Sequence, residues 1–411
     1  MAIKRAIAFA AILQASSALM PMALAPLIIR YLSLEDYGLW VYCMSIGLLL
    51  AAPVDYGFNL SGTRAIATQN SPEERASINN IILTSKLVLA SLSISGLLLF
   101  LAVSELSREN ITIMSITAGF LLVQSFLPFW FFQGVQSLGV YSISVFLARL
   151  VGVLAIALSL FLKGSLVWVP AILLLSTLFV CLTQYKRIND QGYRWSLKKF
   201  PASLRYIKDG FFLAFSNLSI VFYTILPVLT LGSVISFEEA GAYAVAERIY
   251  SAAKSLYQPI STALFPAISS RFAADKRDGV TYACWSGGRS IILFFVIGLL
   301  TFYASTALIG FFMGEKNSNY YIAIRCLEII AFVPAISVLS NIAGIQILVN
   351  LARDRAFMMC TVIGVLMMLT GALLFVPMYG ALGAAYLLLA VESLVAALMC
   401  GCALYFVRGL P

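Results

Sequence analysis

Long apolar runs, each about the length of a bilayer-spanning helix, constrain this chain more than any other feature of it. A helix crossing the hydrocarbon uses about 20 mostly apolar residues. Read on that basis, the sequence predicts twelve spans, at 6–29, 38–60, 79–103, 111–133, 141–162, 166–184, 210–232, 242–265, 290–312, 322–349, 357–376 and 381–406. Of the 411 residues 61% are hydrophobic and only 11% charged, whereas a soluble domain carries about 25% charged residues. Mean hydropathy is +0.96. The longest polar stretches, 61–78, 185–209 and 266–289, leave no room for a separate soluble domain, so the expected fold class is an all-α polytopic membrane protein.

The chain has no histidine, which removes Ser-His-Asp and Cys-His catalysis and His metal ligation together. Of its seven cysteines, Cys43, Cys181, Cys326, Cys360, Cys400 and Cys402 lie in or beside apolar segments, and no C-x-x-C pair occurs. They read as small hydrophobes, not as a disulfide framework or metal site. Neither an enzyme nor a cofactor is expected.

With the amino terminus inside, 18 of the 27 Lys and Arg fall on the inner face, among them Lys4, Arg5, Arg64, Arg75 and seven within 185–209. The opposite face holds only Arg30, Arg108, Lys163 and Lys316. That bias predicts two cytoplasmic termini and explains the net charge of +9 without a nucleic-acid partner. The 185–209 run reads as a solvated linker near lipid head groups, with direct contact to an anionic lipid substrate as the alternative. Lys4-Arg5, the apolar run behind it and Met22-Ala23-Leu24-Ala25 imitate a signal peptide. A run of about 24 residues is long for a signal core, and the segment is expected to stay as the first span.

Two stretches repeat. Ser33-Leu34-Glu35-Asp36-Tyr37-Gly38-Leu39-Trp40 follows span one, and Ser236-Phe237-Glu238-Glu239-Ala240-Gly241-Ala242-Tyr243 follows span seven, at an offset of 203. Each reads as an acidic turn, a glycine for a tight bend and an aromatic that starts the next helix at head-group level. An offset of six spans keeps both copies on one face, so 1–184 and 210–411 are expected to be parallel six-helix repeats joined by 185–209. Such halves enclose a cavity and work by alternating access, with a substrate site near the midplane. One chain then supplies the whole cavity, and a monomer suffices.

A charge near the bilayer centre costs at least about 2.5–3.5 kcal/mol, which makes intramembrane charges functional candidates. Glu247, Ser251, Lys254, Gln258 and Ser261 follow i, i+4, i+7, i+11 and i+14 in span eight and fall on one helical stripe. Arg248 lies off that stripe but is long enough to reach the same cavity or to snorkel outward. Arg149 in span five is a second cavity cation, unless it snorkels to the interface. Glu392, deep in span twelve, is the best protonatable group, unless a basic side chain across the bundle satisfies it. Glu247 and Lys254 are alternatively packing partners. Asp55 and Lys86 read equally as gate contacts or as helix-end charges, and Arg325 with Glu328 as an interfacial pair.

Two segments resemble the bacterial polysaccharide repeat-unit flippases of the Wzx type, in the superfamily that also holds the lipid II flippase and the MATE drug exporters. One is Leu127-Pro128-Phe129-Trp130-Phe131-Phe132-Gln133-Gly134-Val135-Gln136, similar to the family's P-x-W-x-F-Q-G run. The other is Ala240-Gly241-Ala242-Tyr243-Ala244-Val245-Ala246-Glu247-Arg248, continuing to Pro259 and Leu264-Phe265-Pro266. Gln136 departs from the pattern, where the family usually has an acid. The resemblance implies two six-helix bundles in a V around a cationic lumen. It also implies an undecaprenyl-diphosphate-linked oligosaccharide moved to the periplasmic leaflet of the inner membrane, a proton or other ion in exchange, and cooperation with an O-antigen polymerase and chain-length regulator. On that basis Arg149, Arg248 and Lys254 are candidates for the diphosphate, with Ser251 and Gln258 as polar lining and Glu247 and Glu392 as coupling groups.

A drug or cation exporter of the same fold is the nearest rival and would favour an acidic, aromatic cavity. A major-facilitator carrier lacks its G-x-x-x-D-R signature here, at Ser61-Gly62-Thr63-Arg64-Ala65-Ile66. A membrane glycosyltransferase or O-antigen polymerase needs a large periplasmic loop or an acidic catalytic motif, and the longest outer loops expected here are short.

Overall fold

The structure, a computed structural model, describes residues 17, 20–69, 71–104, 106–193, 200–314 and 319–408. The start of the first predicted span lies outside these residues, as do Lys4, Arg5, Arg194, Lys198, Lys199 and Lys316. Among the described residues there is no strand. Among those residues nine helices are long and apolar enough to cross a membrane, and Met20–Tyr31 and Val221–Ile235 are shorter apolar helices. The chain forms two compact units, Met1–Ile225 and Leu226–Pro411.

In the first unit the order is α1 (Met20–Tyr31), α2 (Leu34–Asp55), α3 (Phe58–Ala67), α4 (Pro72–Val103), α5 (Arg108–Ser125), α6 (Phe129–Gly134), α7 (Leu138–Phe161), α8 (Trp168–Asp190) and α9 (Phe200–Asp209). Then α10 (Phe211–Thr230) runs across the division and ends in a π-helical turn, Leu231–Ile235. Serine caps set the starts. Ser33, Ser71 and Ser107 each accept a backbone N–H from the residue three ahead, at the heads of α2, α4 and α5, satisfying donors that a helix end leaves open. Left-handed Tyr56 and Gly57 turn the chain between α2 and α3, and Pro128 separates α5 from α6.

The second unit holds α11 (Phe237–Ser255), α12 (Tyr257–Ala274), α13 (Lys276–Tyr303), α14 (Ser305–Met313), α15 (Tyr320–Ile330), α16 (Val333–Asn341) with a π-helical continuation Ile342–Val349, α17 (Asp354–Leu374) and α18 (Val376–Arg408). Predicted span eight is thus two helices. Pro259 has no N–H for the Ser255 carbonyl, and the break at Leu256 falls within the turn it disrupts. Gly380, at φ 58, kinks the head of α18 next to the predicted start of span twelve.

The repeated motif differs from its sequence reading. Ser33 and Ser236 are the caps of α2 and α11, the acidic residues form the first turn of each helix, and Gly38 and Gly241 lie buried inside the helices, not at bends. Acidic side chains in a first turn complement the positive end of the helix dipole, so the motif is a helix start.

The exposed surface is unlike that of a soluble protein. Helix α4 buries Asn79, Asn80, Thr84, Ser85, Lys86 and Ser93 while exposing Leu92, Leu98, Leu99 and Val103. Helix α7 likewise exposes Val140, Ile143, Leu147, Leu150, Val151, Leu154 and Leu158 and buries Tyr141 and Ser142. Apolar surface on this scale is stable against lipid, not against water. The chain is a multi-pass membrane protein.

Candidate functional site

Among the described residues each unit holds a lysine–carboxylate pair with one sealed member. In the first, α4 presents Lys86, fully buried, with Nζ 3.3 Å from Asp55 Oδ1 at the end of α2. The same ammonium donates to the Ser125 carbonyl at 2.6 Å and lies 4.7 Å from the centre of the Trp130 ring and 5.6 Å from that of Phe58. The turn at Pro128 makes the carbonyl available. In a continuous helix the Ser125 carbonyl would accept from the Phe129 N–H, but that N–H turns back to Leu127 O, so the Ser125 carbonyl leaves the α5 ladder and faces Lys86. A carboxylate, a carbonyl and two ring faces together replace the water that the ammonium loses on burial.

Asp55 is 47% exposed and opens on a polar cavity of about 270 Å³ that also touches Asn59, Gln124, Tyr141 and Arg149. A more enclosed cavity of about 170 Å³ shares Gln124 and Arg149 with it and extends to Ser176 and Thr177. Arg149, on α7, donates from Nη1 to Ser17 Oγ at 2.7 Å. It lines both spaces.

In the second unit α11 carries Glu247, Tyr250, Ser251 and Lys254. Lys254 Nζ is 2.9 Å from Glu392 Oε1 on α18 and 3.0 Å from the Tyr250 hydroxyl. The other oxygen of Glu392 accepts from Ser337 Oγ of α16 at 2.8 Å, so three helices meet on one carboxylate. Glu392 is almost sealed at 9% side-chain exposure, while Lys254 keeps 42%. Ser251 Oγ donates to Glu247 one turn earlier. The pairing thus joins Lys254 to Glu392, not to Glu247.

The break at Leu256 divides the predicted stripe. Gln258 is exposed on α12, whereas Ser261 is buried, donates to Asn341 Oδ1 at 2.9 Å and receives Gln346 Nε2 at 3.2 Å. Arg248 is half-buried on α11. Arg325 and Glu328 form a pair at 3.0 Å, as their i, i+3 spacing suggests.

Several members of these clusters escape sequence reasoning. Tyr250, Ser337, Asn341, Gln346 and Gln124 lie in mainly apolar segments with no spacing that links them to the charges they meet. Asn341 and Gln346, two amides within span ten, were the most visible of them. Among the described residues no group of three or more Cys, Asp and Glu could hold a metal ion.

Comparison with known proteins agrees with the architecture. The profile of the family described as Polysaccharide biosynthesis protein matches residues 3–272. A protein of Escherichia coli (strain K12) named "Putative O-antigen transporter" is 27% identical over 418 residues, covering 99% of this chain and 97% of that protein. Among solved structures, the lipid II flippase MurJ in an inward closed conformation superposes with a TM-score of 0.74 at 15% identity, over 98% of this chain and 88% of that one. An inward-facing multidrug resistance MATE family transporter of the MOP superfamily gives 0.73 at 12% identity, over 95% and 98%. At these identities the structures share the fold of the MOP superfamily.

Proposed function

We propose, for a chain that belongs to the Polysaccharide biosynthesis protein family and is a membrane transport protein, not an enzyme, that it flips a lipid-linked oligosaccharide. The cargo in this reading is a repeat unit on undecaprenyl diphosphate. It moves from the cytoplasmic to the periplasmic leaflet of the inner membrane, by alternating access of halves 1–184 and 210–411 joined by 185–209.

The observation that carries the proposal is the half-exposed Lys254 held by the sealed Glu392. A diphosphate is a dianion that needs a cation, and a lysine with 42% of its side-chain surface open can meet one without leaving its counterion. Arg149 and Arg248 serve as further cations, with Ser251 and Gln258 toward the sugar. A proton on Glu392 removes the negative partner and frees Lys254 for the phosphate. Loss of that proton reclaims the lysine and favours release. Glu247, bonded to Ser251, is the second coupling candidate. A monomer performs the cycle, both termini lie in the cytoplasm, and the product passes to an O-antigen polymerase and chain-length regulator.

The test is deletion of the gene in its host, complemented by wild type or by Lys254→Ala, with surface-glycan gels and a leaflet assay for the lipid-linked intermediate. Deletion is expected to abolish polymer and trap the intermediate on the cytoplasmic leaflet. Lys254→Ala, in normally inserted protein, is expected to lower flipping at least tenfold, roughly the loss of one charge-assisted contact. Unchanged glycan on deletion rejects the flippase, and a gain in drug sensitivity instead puts an exporter of the same fold in its place.

A further inference from the structure

We propose that α9 is a membrane-surface helix that holds anionic phospholipid head groups through Arg205 and Lys208 while Phe200 and Leu204 enter the acyl boundary. This goes beyond the transport reading and does not depend on it.

At 100° per residue the helix divides into two contiguous faces. Ala202, Ser203, Tyr206 and Ile207 occupy the inner one, which is tied down at three points. The Tyr56 hydroxyl donates to the Ile207 carbonyl at 2.8 Å, Ser85 Oγ donates to the Ser203 carbonyl at 3.3 Å, and Phe58 stacks on Tyr206 at 5.9 Å. Phe200, Pro201, Leu204, Arg205 and Lys208 form the outer face and are all exposed. Phe200 and Leu204 keep 48% and 47% of their surface.

The outer face is itself ordered. Its apolar pair, Phe200 and Leu204, occupies one edge and its basic pair, Lys208 and Arg205, continues the arc toward the other. That sequence of side chains suits a helix lying in the plane of the interface, where one edge meets acyl chains and the other meets phosphates. In water the same face would expose two large apolar side chains with no partner.

Charge selects the occupant. Residues 185–209 hold seven Lys and Arg against Asp190 and Asp209, and each basic side chain near an anionic leaflet contributes about fivefold in partition. Beside the helix runs an open groove of about 510 Å³, lined by Ile81 of α4 and by Pro201, Ala202, Arg205 and Tyr206. An apolar floor with one guanidinium on its wall fits a phospholipid head group and the first carbons of its chain, not a protein partner.

The experiment uses the full-length protein in nanodiscs of phosphatidylcholine, with and without phosphatidylglycerol, read by amide hydrogen exchange over 200–208. Phosphatidylglycerol is expected to slow exchange of α9 about fivefold or more and to leave α4 unchanged. The double variant Arg205→Gln with Lys208→Gln is expected to lose most of that slowing. Both side chains are exposed, and unaltered exchange in α4 reports that the variant is folded. Equal exchange of α9 in the two lipids overturns the proposal. Slowing that survives the double substitution overturns the role given to Arg205 and Lys208. Slowing that needs added undecaprenyl diphosphate assigns the basic edge to a lipid-linked diphosphate and overturns the phospholipid.

Discussion

Two lysines in this protein are inserted among helices, each with a carboxylate for company, and they are built for different ends. Lys86 has no exposed surface, and its ammonium meets Asp55, a carbonyl and two aromatic faces. Lys254 has Glu392 and Tyr250 but keeps 42% of its side chain open. In the first pair the cation is sealed and the acid is exposed, and in the second the acid is sealed and the cation is exposed. A sealed charge holds helices in register because removing its partners leaves it uncompensated. An exposed charge beside a sealed counterion is available to something that arrives.

The contrast breaks if the two lysines cost the same to remove. Lys254→Ala leaves the sealed Glu392 without its counterion and is expected to lower unfolding free energy by about 3–5 kcal/mol. Lys86→Ala leaves Asp55 half-exposed to water and only the Ser125 carbonyl without a buried donor, and is expected to cost about 1–3 kcal/mol. Denaturant titration of the purified proteins in one detergent measures both, and equal losses would erase the distinction between a sealed cation and a sealed acid.

Within the second unit, Ser261→Ala is expected to cost about 1–2 kcal/mol, since Asn341 and Gln346 lose a buried partner. Gln258→Ala, three residues away and exposed, should stay within about 0.5 kcal/mol. Thermal shifts that rank them the other way would mean that the stripe remains one surface across Leu256. The smallest contrast is between the repeats: Ser33→Ala and Ser236→Ala should each cost about 1 kcal/mol and agree closely. Caps of unequal worth would argue that the two helix starts have diverged in role.

Much of this architecture is legible from composition and spacing, and the failures share one cause. Apolar length found the spans because a bilayer sets it. The same criterion trimmed α4 at residue 79 and left Lys86 near an apparent helix start, whereas the helix begins at Pro72 and Lys86 lies about 21 Å along it. Asn79 and Asn80, at that apparent start, are polar because they face protein. Lys254 and Glu392 were both conspicuous as charges in apolar runs, yet 138 residues separate them and no local pattern joins them. Spans four and eight read as continuous, although Pro128 and Pro259, each without an N–H, lie where the helices break. The left-handed pair Tyr56 and Gly57 carries no such mark, since tyrosine has no signal for that conformation.

The turn at Pro128 shows how a flaw in one element becomes a component of another. Left to local preference, α5 would continue and its last carbonyls would be spent within the helix. Interrupted, it delivers one of them to an ammonium on a different helix. Carrying the helix on through 129 would give the Ser125 carbonyl to the Phe129 N–H and take away a ligand from Lys86. For this half of the molecule the best helix and the best protein are therefore different sequences, and selection for secondary structure alone would not arrive at it.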